Sequence, residues 1–245
     1  AGLPDPVAPI VNQLNRRADG ATEFLAWQSG AYALDGGGTQ NVNVPAPETL
    51  VGPWHVAFQA NRGAPPRITL PELESLHLHA DSGVKYFSGT ATYSHDWHMT
   101  APLAPGQRVM LDLGRVEVVA EVKVNGRSAG LVWKEPYRLD ITDLVKPGSN
   151  RMEIVVTNLW TNRLIGDESL PVEDEFGLRD ERGVDPHGIV KLPGWYLQGK
   201  PKPPGGRVTF ATWRFYDADE PLVASGLLGP VRIWQPVRVV LPESK

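Results

Sequence analysis

"EVVAEVKVNGRSAGLVW", residues 117 to 133, decides the fold. Val118, Ala120, Val122 and Val124 alternate with Glu117, Val119, Glu121 and Lys123. A period of two sends one set to a core face and the other outward, as in a half-buried strand. Asn125 and Gly126 come next, a pair that accepts positive φ at both centres of a type I′ turn, so the chain reverses and "RSAGLVW" returns alongside. The pattern continues on both sides. "QRVMLDLG" (107 to 114) alternates Val109, Leu111 and Leu113 with Arg108, Met110 and Asp112, and "RMEIVVTN" (151 to 158) sets Met152, Ile154 and Val156 on one face. "GPWHVAF" (52 to 58), "VKYFSGTATYSHDW" (84 to 97), "YRLDIT" (137 to 142), "RVTFATWRFY" (207 to 216) and "GPVRIWQPVRVVL" (229 to 241) read as further strands. "TEFLAWQSGAYAL" (22 to 34) reads as two short strands across a Ser-Gly turn.

The 25 Gly and 23 Pro among 245 residues cut the chain at short intervals and leave little room for a long helix. About ten strands without such a helix predict an all-β fold, an antiparallel jelly-roll β-sandwich. Residues 1 to 20 read as an N-terminal arm or linker, and "AGLPDPVAPI" suits a mature or trimmed start. Residues 21 to 245 form the sandwich domain, with a loop insertion over about 160 to 206 where strand signal nearly vanishes. Loops of that length are usually functional or wrapped over a neighbour.

A net charge of -4 gives no reason to expect a nucleic-acid or anionic-membrane partner. Apolar runs are strand-sized, short of the ~20 residues that span a bilayer, and no signal-peptide pattern is present. With no cysteine, disulfides, zinc ribbons and thiol catalysis are excluded. The compartment stays open on that ground, since many bacterial periplasmic proteins also lack cysteine.

Candidate chemistry gathers where the central strands end. "VVTNLWTNRLIGDESLP" (155 to 171) leaves the sheet through Asn158, Trp160, Asn162 and Arg163, residues that can grip vicinal hydroxyls. The alternative is that both asparagines bond to their own loop while Arg163 pairs with Asp167 or Glu168. Trp133, Tyr137 and Trp97 are candidate sugar platforms, because an aromatic face matches the apolar face of a pyranose. Packing in the core is the competing role, and the expected one for Trp54 and Trp234. The acidic stretch after Gly166 contains Asp167, Glu168, Glu173, Asp174, Glu175, Asp180, Glu181 and Asp185. It allows solvated acids, a calcium site of hard oxygens, or a pair of glycosidase carboxylates. Asp167, Glu168, Glu173, Asp174 and Glu175 are the weak catalytic candidates. His77 and His79, on one face of an L-H-L-H strand, permit a weak metal site without an identifiable third ligand. No cofactor motif is present, and the acidic stretch allows a structural calcium.

The central block "SGTATY…LDLGRVEVVAEVKVNGRSAGLVWKEPYRLDITDLVKPGSNRMEIVVTN" resembles the sugar-binding jelly-roll domain of family 2 glycoside hydrolases, a galactose-binding-like fold. The flanking "GPWHVAFQ…GAPPRITLPEL", "NLWTNRLIGDESLP" and "GWYLQGKPKPPGGRVTFATWRFYDADEPLVASGLLGPVRI" resemble the C-terminal region of family 106 α-L-rhamnosidases. The resemblance covers about residues 22 to 240. Enzymes of that family are much longer, their catalytic barrel precedes this region, and nothing here supplies it. The resemblance therefore implies an ancillary or carbohydrate-binding module of a bacterial α-L-rhamnosidase-like hydrolase, or a free-standing relative. Its implied partners are a rhamnose-containing plant or bacterial glycan and a catalytic barrel, in the periplasm or outside the cell. Trp133, Tyr137, Trp160, Asn162 and Arg163 are the expected sugar contacts. A small glycan-processing enzyme using carboxylates of the 167 to 185 loop, and a purely structural domain, are the alternatives.

Overall fold

The computed structural model describes residues 14–18, 20–33, 39–100, 102–104, 106–171, 175–176, 189–203, 205–209 and 215–241. The chain opens with β1 (Asn15–Arg16), β2 (Thr22–Ala26), β3 (Gly30–Ala33), β4 (Thr39–Val42), β5 (Glu48–Thr49), β6 (Trp54–Phe58) and β7 (Arg67–Leu70). A 3-10 turn (Leu76–Leu78) and α1 (Ser82–Lys85) lead into β8 (Thr90–Met99), β9 (Met110–Asp112) and β10 (Arg115–Glu117). Then come β11 (Val119–Val124), β12 (Arg127–Val132), β13 (Arg138–Asp140) and β14 (Gly148–Thr157). After α2 (Thr161–Asp167), β15 (Glu175–Phe176), β16 (Ile189–Lys191) and α3 (Gly194–Leu197), the chain closes with β17 (Gly226–Gly229), β18 (Arg232–Trp234) and β19 (Val237–Leu241).

The architecture is an antiparallel β-sandwich. One face is a six-stranded sheet in the order β12-β11-β14-β8-β6-β7; opposite lie the four-stranded sheet β13-β9-β18-β5 and the pair β10-β17. Every second residue of the large sheet points into the core: Trp54, Val56, Phe58, Ala91, Tyr93, Ala120, Val122, Val124, Met152, Ile154 and Val156 are all buried there. Leu111, Ile141, Val231, Ile233 and Leu227 meet them from the other layer. The alternation that marked β11 and β14 is thus the inner face of the sheet, and its burial supplies the main hydrophobic drive.

The β11–β12 hairpin turns at Asn125 and Gly126 with φ of 51° and 79°, the two positive values that the turn type requires. Asn125 does more than turn. Its Nδ2 donates to the Leu144 carbonyl at 2.9 Å and to Asn150 Oδ1 at 2.8 Å, and its Oδ1 accepts from the Arg151 amide at 3.1 Å. Asn150, buried at 2% exposure, donates in turn to the carbonyls of Lys146 and Gly148. The Asn-Gly turn and the Gly-Ser-Asn turn are one polar network.

Several expected strands differ. The L-H-L-H stretch is the 3-10 turn rather than a strand, because Ser75 and His79 hold it locally: Ser75 Oγ meets His77 Nδ1 at 2.6 Å and the Asp81 amide donates to His79 Nδ1 at 3.1 Å. Residues 82 to 85 are helical, with Asp81 Oδ1 accepting from the Val84 amide, and the strand begins only at Thr90. β2 and β3 do not pair across the Ser-Gly turn; β2 pairs with β1 and β19, and β3 with β4. A second small core explains this, since Phe24 and Ala26 of β2 bury with Val239 and Leu241 of β19 and with Val42 of β4. Residues 207 to 209 are not strand, and 210 to 214 lie outside the described residues.

Candidate functional site

Where β14 ends, side chains take over from the sheet ladder. Asn158 Oδ1 accepts from the Gly89 amide at 2.8 Å, and its Nδ2 donates to the Phe87 carbonyl at 2.8 Å and to Ser225 Oγ at 2.6 Å. Ser88 Oγ donates to the Leu159 carbonyl at 2.7 Å. Two residues later the chain winds into α2, seven residues within the region read as loop. So short a helix is not stable by itself. It is held by Ile165, which is buried, and by Asn162, whose amide group both donates to the Val223 carbonyl (2.8 Å) and accepts from the Val223 amide (2.9 Å). The asparagines thus bond to distant segments rather than to their own loop.

Arg163 projects from this helix with a side chain only 6% exposed. Its guanidinium lies between Gly63 and Gly166: a Cβ at Gly63 would sit 3.0 Å from Nη1, and one at Gly166 would sit 2.8 Å from Nη2 and 2.5 Å from Tyr86 Cγ. At Gly166 an added methyl would collide with the Tyr86 ring, whose centroid is 5.7 Å from Arg163 Cζ, and at Gly63, with φ of 87°, a side chain would be strained and would press on Nη1. Asp167 is the counter-ion. Its Oδ1 is 3.0 Å from Arg163 Nε, but both atoms lack a hydrogen bond, so the alignment falls short of one. The other oxygen accepts from the Thr209 amide at 2.7 Å and from its hydroxyl at 2.6 Å. Burial pushes the Arg163 guanidinium below its ordinary value, and Asp167 opposes that shift. Next along the chain, Glu168 takes both terminal nitrogens of Arg207 at 2.8 and 3.3 Å.

These elements enclose a cleft of about 710 Å³ between α1, the 61 to 63 turn, α2 and the strap of residues 202–203 and 205–208. Asn61, Ser82, Tyr86, Arg163, Lys202 and Arg207 supply its polar wall, and no Asp or Glu is among the described lining residues. Lys202 Nζ is 5.7 Å from the Trp195 ring centroid, which carries an aromatic to the cleft margin.

Of the expected sugar contacts, the structure brings Arg163 to the cleft. Trp160 is near it, 45% exposed, with the Arg62 guanidinium 4.8 Å from its ring centroid and Asn61 and Gly63 on the cleft wall beside that arginine. Asn162 is buried and committed to Val223. Trp133 is 63% exposed at the end of edge strand β12 and does not line the cleft. Tyr137 and Trp97 are buried in the main core, so neither offers a ring face as a platform; Trp54 and Trp234 are buried too. Among the acids, Asp167 and Glu168 are bound into ion pairs. Glu175 is placed as a residue of β15, while Glu173, Asp174, Asp180, Glu181 and Asp185 lie outside the described residues. No group of three His, Asp or Glu side chains converges as a metal site among the described residues, and the acidic stretch that allows calcium lies mostly outside them.

Tyr86, Asn61, Lys202 and Arg207 were not singled out in the sequence. Tyr86 and Arg207 sit within stretches that read as strand, and Asn61 and Lys202 belong to turns without periodicity. The signals that bear on them are the glycines spaced around them: Gly63, Gly83, Gly205 and Gly206.

No family model matches the chain. Over 192 residues, 78% of this chain, it is 42% identical to a protein of Formosa agariphila that carries a provisional beta-glucuronidase name. The solved structure of a rhamnosidase from Novosphingobium sp. PP1Y matches 95% of this chain with a TM-score of 0.61 and 30% identity. The chain spans 16% of the first protein and 24% of the second. It is a β domain related to glycoside hydrolases.

Proposed function

We propose that the chain is a non-catalytic carbohydrate-binding or ancillary β-sandwich module of an α-L-rhamnosidase-like glycoside hydrolase. The observation that carries this reading is the cleft: cationic, amide and hydroxyl groups line it beside aromatic rings, and no carboxylate is among its described lining residues. Glycoside hydrolysis by the usual route needs two carboxyl groups about 5 to 9.5 Å apart across the scissile bond. Asp81, Asp167 and Glu168, the described acids next in sequence to lining residues, already serve the Val84 amide, Arg163, Thr209 and Arg207. Groups that donate to hydroxyls, next to an exposed indole such as Trp160, instead suit the holding of a sugar. The likeness to a rhamnosidase over 95% of the chain supports a rhamnose-containing glycan as the ligand. The small share of each relative that is spanned supports a module that works beside a separate catalytic barrel, in the periplasm or outside the cell. Calorimetric titration with L-rhamnose-containing oligosaccharides, run beside aryl α-L-rhamnoside hydrolysis, tests it. Binding without hydrolysis is expected. Turnover that a loop-carboxylate substitution abolishes would overturn it, and so would the absence of any binding.

A further inference from the structure

The Arg163 guanidinium has more donors than its surroundings use. Its side chain is more than nine-tenths buried, yet neither Nη1 nor Nη2 has a hydrogen-bond partner among the described residues, and Nε has only a misaligned contact to Asp167. Of the three nitrogens only Nε is an enclosed orphan; Nη1 and Nη2 are not enclosed, and as part of a cleft-lining residue they stay open to a ligand. Asp167 cannot serve as that ligand, because its second oxygen is committed to the amide and hydroxyl of Thr209. Arg207, by contrast, spends both its terminal nitrogens on Glu168.

The open side of the fork is the cleft. Arg163 lines it together with Lys202 and Arg207, and no acid is among the described lining residues. The guanidinium is confined: its side chain is only 6% exposed, and the Tyr86 ring lies against it. A planar fork so confined, with two parallel N–H groups free, matches a planar carboxylate in bidentate fashion. Around it, the Asn61 amide and the Ser82 and Tyr86 hydroxyls provide the partners that sugar hydroxyls need.

We propose that the cleft takes an acidic sugar, a uronate, with its carboxylate on the Nη1 and Nη2 fork of Arg163 and Lys202 adding the second positive charge. This deepens the carbohydrate-binding reading and rests on it. The ligand expected is then a glycan in which a uronate accompanies rhamnose.

The test is titration of the 245-residue chain with methyl β-D-glucuronide, methyl β-D-glucoside, the glucuronide methyl ester and a sulfated glucoside, with a neutral rhamnosyl oligosaccharide in parallel. The glucuronide is expected to bind at least ten-fold more tightly than the glucoside and the ester, and to weaken as salt rises from 50 to 500 mM, in keeping with a contact between charges. Arg163→Lys retains charge but loses the fork and should weaken the glucuronide at least ten-fold; circular dichroism establishes that it is folded. Lys202→Met, on the strap, provides a second variant and should reduce both the affinity and its salt dependence. Equal affinity for glucuronide and glucoside, or tighter binding of the sulfated sugar alone, would overturn the proposal, as would glucuronide binding unchanged in both variants. If the neutral oligosaccharide binds and the glucuronide does not, the uronate assignment falls and the module reading stands. If neither binds, both fall.

Discussion

Arg163 and Asp167 are a buried pair with side-chain exposures of 6% and 1%, and such pairs show their worth when one partner is removed. Asp167→Asn leaves the guanidinium without a counter-charge and should cost about 3 to 5 kcal/mol in urea unfolding, with an unchanged m-value. A loss below about 1 kcal/mol would mean that Arg163 is already neutralised by another group. Gly166→Ala tests the same spot through packing. Its added methyl would collide with the Tyr86 ring at 2.5 Å, and the expected loss is about 1 to 3 kcal/mol. His77 sets a pH dependence. Its pKa is held below the ordinary value by burial first, then by Lys85 and Arg115. The unfolded chain therefore binds this proton more readily than the folded one, so the contribution is present above the unfolded pKa, near ~6.5, and is lost as pH falls through the folded value. His77→Gln should flatten the decline of Tm below about pH 6.5 relative to the parent. An identical decline in both proteins would remove His77 from the account.

Among the elements, β14 and α2 form one unit joined by Asn158. Replacing Asn158 with Ala strands the Gly89 amide and removes two further hydrogen bonds; about 2 to 3 kcal/mol is the expected loss. Hydrogen exchange should quicken at the Gly89 amide and through α2 while the β11–β12 hairpin keeps its protection. Uniform acceleration across both would show that α2 is not a separate unit. The difference between these two elements is also the difference between what the sequence reveals and what it hides. β11 and β12 are legible because alternation and an Asn-Gly pair are local signals, and each agrees with the burial that follows. α2 is not legible. Seven residues hold barely two turns, too few for a 3.6-residue period to register, and its stability comes from Asn162 reaching Val223, 61 positions away. The 3-10 turn misleads for the opposite reason, since its Leu-His alternation copies a strand while Ser75 and His79 hold it locally.

At the scale of the molecule, the sandwich was written in the spacing of apolar residues, but the cleft was not. Arg163 was visible as a charged residue at a strand exit. That its fork would lie between Gly63 and Gly166 and open toward Lys202 depends on contacts between distant segments, Gly63 with Arg163 and with Val208. The same holds for the second layer's closure, where the Ser75 hydroxyl donates to the Ser225 carbonyl and accepts from the Ser225 amide across 150 positions. The central claim concerns this whole assembly: a glycoside-hydrolase-related sandwich that holds a glycan and does not cleave it. Its most direct test is calorimetric titration of the chain with neutral and acidic L-rhamnose-containing oligosaccharides, with aryl α-L-rhamnoside hydrolysis followed in the same samples. The account predicts saturable binding that Arg163→Lys weakens, and no release of the aryl group. Release of the aryl group that Glu168→Gln abolishes would contradict it.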